Sequence, residues 1–287
     1  MPSFVDIRWA GRPVRIEHRW VGAAPDNASV TATAVAPLLV FLHEGLGSVS
    51  MWRNFPDRLC TALGWPGLVY SRPGYGRSTP RAAGEHLGLD FMHRQADEVL
   101  PALLDALGVQ QPVVLFGHSD GGSIALLHAA RQPQRVHSLV VLAPHIMVEA
   151  FGLASIAAAR ENYISGDLRA RLARHHDDVD GVFQGWSDIW LSPGFLRWQI
   201  TSDLKYIRCP VLAVLGVDDA YGTIAQIDGI AQAVPRARLL KLPHCGHSPH
   251  RDQPQALIDA TVEFLTLTAC PKPSPIPKPS PKTGDPL

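Results

Sequence analysis

The 287-residue chain predicts an α/β fold built on an open, mostly parallel sheet, and three observations carry that prediction. Five short apolar runs punctuate the chain, helix-like segments separate most of them, and one interval is far too long for a single crossover. The runs are "PLLVFLH" (37–43), "LVYS" (68–71), "PVVLF" (112–116), "HSLVVLA" (137–143) and "CPVLAVLG" (209–216). Unbroken apolarity, rather than alternation, suits strands whose sheet is covered by helices on both faces.

Ahead of these runs, "SFVDIRWA" and "RPVRIEHRWV" alternate polar and apolar residues and read as two strands around a Gly11-Arg12 turn. "GAAPDNASVTATAVA" then reads as a loose connection. In "DEVLPALLDALG", Leu100, Leu103, Leu104 and Leu107 mark one helix face and Gly108 a stop, so Pro101 belongs near a helix start or at a kink. About 60 residues separate the runs ending near Ala143 and starting at Cys209. They contain "ASIAAARENYISGDLRARLARHH" and "GVFQGWSDIWLSPGFLRWQI", which read as several helices, with Trp186, Trp190 and Trp198 among them. A helical cap inserted over residues 147–203, above the C-terminal edge of the sheet, is expected within one domain spanning 1–268. Residues 269–287 carry proline at nearly every second position from Pro271 to Pro281 and predict an extended, disordered tail.

Lys+Arg and Asp+Glu both number 26, so no global field favours a nucleic-acid or acidic-membrane partner. A small molecule is the expected ligand. The N-terminal stretch lacks a signal-peptide core, no run reaches membrane-spanning length, and Cys60, Cys209, Cys245 and Cys270 are scattered. These features predict a cytosolic protein with reduced thiols, in which the sequon Asn27-Ala28-Ser29 is an ordinary loop.

"VVLFGHSDGGSIALLHAA" runs from a strand through Gly117-His118-Ser119-Asp120-Gly121 into a helix. A serine hydroxyl attacks carbon only when a base takes its proton and the backbone holds it where substrate can reach it. In Gly-x-Ser-x-Gly, a sharp strand-to-helix turn presents the serine, and the glycines let neighbouring backbone come close. Candidate acids, Asp218 and Asp219, follow the run ending at Gly216; candidate bases, His244, His247 and His250, lie in "KLPHCGHSPHRDQP". The order Ser, Asp, His is the one expected where strand ends at one sheet edge supply all three groups. The remaining histidines of the 13 read as surface or packing residues.

On these residues the chain resembles the α/β-hydrolase family over about residues 1–268. The resemblance implies the α/β-hydrolase fold, and it selects Asp219, three residues after the strand-ending glycine, and His247, after a late glycine, as partners of Ser119. It further implies an oxyanion hole formed by the backbone N–H groups of Asp120 and Gly45, the latter in "HEGLGS" after the first apolar run. Leu46, Trp186 and Trp190 are candidate substrate contacts, although the two tryptophans, four apart, equally suit anchoring of the cap. Glu44 stands where the family commonly has glycine; its carboxylate would oppose a developing negative charge and is expected to point away. "SRPGYGRS" (71–78) is similar to the family's glycine-bearing loop, with Arg72-Pro73 in place of the usual Asp-x, and reads as structural.

The implied chemistry is hydrolysis of a small carboxylic ester, lactone or thioester through an acyl-enzyme. A serine nucleophile argues against the aspartate-dependent dehalogenases and epoxide hydrolases of the family. Hydrolysis of a C–C bond beside a ketone, as in breakdown of aromatic compounds, is the alternative reaction; a non-enzymatic small-molecule receptor is the alternative class. With no Gly-x-Gly-x-x-Gly after the first strand, no P-loop and no zinc spacing, neither a metal nor a cofactor is expected. The sequence leaves the oligomeric state open.

Overall fold

The computed structural model describes residues 3–24, 36–82 and 84–269. The sequon at 27–29 and the tail from residue 270 onward lie outside these residues. Eight strands form one sheet in the order β1-β2-β4-β3-β5-β6-β7-β8. They are β1 (Ser3–Trp9), β2 (Arg12–Val21), β3 (Leu39–Leu42), β4 (Gly67–Tyr70), β5 (Val113–His118), β6 (Val136–Leu142), β7 (Val211–Gly216) and β8 (Ala237–Leu242). From β4 to β8 every pairing is parallel, whereas β1 and β2 form an antiparallel hairpin on the β4 edge. The hairpin turns at Ala10-Gly11, both with positive φ, and Arg12 already pairs with Trp9. The expected turn at Gly11-Arg12 is therefore shifted by one residue, because Gly11 takes the left-handed position and releases Arg12 to the ladder.

The helices are α1 (Phe55–Leu63), α2 (Phe91–Arg94), α3 (Leu100–Ala106), α4 (Asp120–Arg131), α5 (Ala150–Ser165), α6 (Leu168–Leu172), α7 (Val179–Trp190), α8 (Ala225–Ala233), α9 (Pro249–Asp252) and α10 (Pro254–Ala269). Alternate residues of each central strand serve opposite layers. Val40, Leu42 and Leu115 pack with α3, α4 and α8 on one face, while Leu39, Phe41 and Phe116 pack with α1 and α10 on the other. All six are fully buried, each worth about 1.5–3 kcal/mol of transfer free energy. Pro101 sits second in α3, just after a π turn over Gln95–Val99, where the helix absorbs its missing N–H.

Between β6 and β7 the chain leaves the sheet. An antiparallel bridge of Met147 with Gln199 pins the two ends of this excursion together. Within it, α7 is capped by Asp178, whose carboxylate accepts from Gly181 N at 2.9 Å. Val182, Phe183, Trp186, Ile189 and Trp190 recur at helical spacing and are buried, so α7 turns both tryptophans inward. A second tie comes from His176, which accepts from Gly76 N (2.9 Å) and donates to Leu46 O (2.9 Å). No helix among the described residues is long and apolar enough to cross a membrane.

Candidate active site

β5 runs into α4 through Ser119, whose backbone sits at φ 53°, ψ −120°. A non-glycine residue holds such a conformation only where its surroundings over-determine it. Here Ser119 N donates to Leu142 O at 2.8 Å, and α4 starts at the next residue. The flanking glycines are sterically required: a methyl group on Gly117 would stand 2.6 Å from the Gly121 carbonyl carbon, and one on Gly121 would stand 2.5 Å from that of Leu42. The turn thus lifts the Ser119 hydroxyl above the C-terminal edge of the sheet.

Two loops at the same edge meet it. After β8, Gly246-His247 brings His247 Nε2 to 2.9 Å from Ser119 Oγ. After β7, Asp219 receives His247 Nδ1 at 2.9 and 2.8 Å on its two oxygens. Asp219 Oδ1 also accepts from Tyr221 N at 2.8 Å. Burial pushes the Asp219 carboxyl up, but the hydrogen bond from His247 and its charge, with the Tyr221 N–H, outweigh burial and hold it below its ordinary value. Asp218 is exposed and does not join the line. His244 is exposed, whereas His250 is buried against Trp52 and His118.

Ser119 and His247 line a cavity of about 240 Å³ between the sheet edge and α5–α7. Gly45, Leu46, Asp120, Trp186 and Trp190 all border it, and its far wall is apolar: Gly152, Leu153, Ile156, Leu168 and Leu172. Trp186 crosses directly over Gly45, leaving no room for a side chain there. Trp190 also stacks edge-on against His145, with ring centroids 4.9 Å apart, and packs on Phe195 and Trp198. Among the described residues, Gly45 N–H donates to no protein acceptor, and Asp120 N–H, first in α4, has no helical acceptor four residues back.

The Glu44 carboxylate turns toward His118, with Oε2 3.5 Å from Nδ1. Burial raises this carboxyl, but the adjacent His118 imidazole outweighs burial and holds it far below the ordinary range. His118 in turn donates from Nε2 to His247 O at 2.7 Å, fixing the loop that carries the imidazole. Several bordering residues were not candidates from sequence: His145, Glu149, Tyr221 and Arg251. Glu149 accepts from Thr223 N (2.9 Å) and Gln226 Nε2 (2.6 Å), joining the start of α5 to the loop after Asp219. The Ala-Pro-His stretch after β6 was the available signal for His145, because strand ends at this edge supply the other groups.

The alpha/beta hydrolase family model matches residues 39–260, and the chain belongs to that family: it is an enzyme of the α/β-hydrolase fold. It is 27% identical over 261 residues to an sn-1-specific diacylglycerol lipase of Mus musculus, covering 81% of this chain and 82% of the relative. It is 22% identical over 259 residues to 2-hydroxy-6-oxo-6-phenylhexa-2,4-dienoate hydrolase of Burkholderia cepacia, covering 79% and 87%. The solved structure of a thermophilic esterase from Thermogutta terrifontis superposes with a TM-score of 0.68 at 18% identity, covering 94% of this chain and all of that one, a likeness of fold.

Proposed function

We propose that the protein is a serine hydrolase that cleaves a small carboxylic ester with an apolar substituent. The observation that carries this reading is the unbroken line from Ser119 Oγ through His247 to both oxygens of Asp219. His247 Nε2 takes the hydroxyl proton as Ser119 Oγ bonds to the carbonyl carbon; Asp219 stabilises the resulting imidazolium. The N–H groups of Gly45 and Asp120 receive the oxyanion. Collapse expels the alcohol, which takes the proton from His247, and leaves an acyl-Ser119 ester. Water, deprotonated by the same imidazole, attacks that ester and releases the acid and the free hydroxyl. The apolar far wall suits an alkyl or aryl substituent of modest size. The free thiols of Cys60, Cys209 and Cys245 agree with a reducing, cytosolic setting.

The test is steady-state turnover of short p-nitrophenyl esters by the wild type and Ser119→Ala. Sustained turnover that disappears in the variant is expected; turnover surviving in Ser119→Ala overturns the reading. A single slow acylation in the wild type assigns a receptor instead. In the same panel, a vinylogous 1,5-diketone split into an acid and a dienol while esters stay intact assigns C–C hydrolysis.

A further inference from the structure

Arg72, read from sequence as part of a structural loop, is fully buried behind the peptide that joins Glu44 to Gly45. Its Nη2 donates to Glu44 O at 2.8 Å, and its Cζ lies 4.6 Å from the centre of the Tyr75 ring. The same carbonyl accepts from His43 Nδ1 at 2.7 Å, and His43 Nε2 accepts from Arg72 N at 3.0 Å. Together these contacts fix His43 as the neutral Nδ1–H tautomer, since Nε2 is occupied as an acceptor. Burial, and after it the adjacent Arg72 charge, hold that imidazole neutral.

Glu44 C=O and Gly45 N–H are two ends of one peptide group. A donor on the carbonyl enlarges the peptide dipole and makes its N–H a stronger donor, and a cationic donor does so most. We infer that Arg72 is a positioning residue for the oxyanion hole: it grips and polarises the Glu44–Gly45 peptide from behind, so that Gly45 N–H meets the tetrahedral oxyanion aimed and strengthened. The inference rests on the serine-hydrolase reading above. Arg72 Nη2 also lies 3.8 Å from Asp120 Oδ2, a buried carboxylate neither of whose oxygens finds a hydrogen-bond partner among the described residues. The guanidinium thereby offsets a negative charge beside the second N–H donor, which would otherwise oppose the oxyanion.

The experiment compares wild type and Arg72→Gln on one short p-nitrophenyl ester and on phenylboronic acid, whose adduct with Ser119 Oγ is a tetrahedral anion. The expected result is a Ki for the boronic acid and a kcat both worse by about 10- to 100-fold, with KM within about threefold, because the lost interaction acts on the tetrahedral state. Unchanged Ki and kcat in a folded variant overturn the inference, as does a loss confined to KM. Full recovery in Arg72→Gln/Asp120→Asn also overturns it, since Arg72 would then only neutralise Asp120. If Arg72→Gln fails to fold, His43→Phe removes the other donor from the same carbonyl and is read in the same way. Inactive Ser119→Ala beside an unaffected Arg72→Gln sinks this inference alone; active Ser119→Ala sinks the serine-hydrolase reading itself.

Discussion

Asp219 holds the imidazole of His247 with both carboxylate oxygens, at 2.9 and 2.8 Å, while its neighbour Asp218 faces solvent. Asp219→Asn is expected to lower kcat by about 10³- to 10⁴-fold, because an amide cannot stabilise the imidazolium and favours the wrong tautomer. Asp218→Asn is expected to stay within about twofold. Parallel kcat measurements on one ester decide the matter, and the reverse pattern would assign the acid to Asp218.

Stability is expected to fall on mild acidification. His43, His145 and His250 are buried, and burial, the largest cause for each, pushes their pKa values down, His145 to about 3. Below about pH 6.5 the unfolded chain protonates these side chains while the folded protein resists, so the unfolded state binds more protons and gains on the folded one. Each contributes up to about 1.4 kcal/mol of lost stability per pH unit, from about 6.5 down to its folded pKa. Asp120, whose carboxyl is raised by burial, works in the opposite direction, but it is one group against these three and the buried His18, His128 and His176, which burial also lowers. Urea denaturation at pH 8, 6.5 and 5 measures the slope; a midpoint that rises on acidification contradicts the assignment.

Two glycine substitutions separate crowding from backbone conformation. Gly121→Ala places its methyl group against the carbonyl of Leu42 in β3 and is expected to cost at least about 3 kcal/mol, because backbone of the central sheet cannot yield. Gly64→Ala, after α1 at φ 68°, meets nothing within 4 Å and is expected to cost only about 1 kcal/mol of left-handed strain. Denaturation curves of both variants check the ranking.

Leu153 borders the apolar far wall of the cavity. Leu153→Trp is expected to reduce kcat/KM for p-nitrophenyl octanoate by about 10-fold or more while leaving the acetate within about threefold, since lost room for methylenes penalises only the longer chain. Equal losses on both esters would place the longer chain elsewhere.

The five apolar runs foreshadowed β3 to β7 because those strands are buried on both faces, so nearly every residue had to be apolar. The turn at Ser119 was legible for a related reason: close backbone contact leaves Gly117 and Gly121 no alternative. Composition alone did not separate Asp218 from Asp219. The separation depends on the turn after β7, where Asp219 N donates to Gly216 O and the carboxylate swings inward. Arg72 was the least legible. Its place beside Glu44 follows from the pairing of β3 with β4, which brings together loops 28 positions apart, and no local pattern announces it.

The sheet ends at β8, whose outer side has no strand partner among the described residues. Such a margin exposes unsatisfied amides and carbonyls to any extended segment that drifts past. Arg238 and Lys241 occupy this margin, and Lys241 is tethered to Asp228 at 3.0 Å. An incoming neutral strand would have to strip water from these cations to dock, an energetic cost that disfavours pairing along this edge.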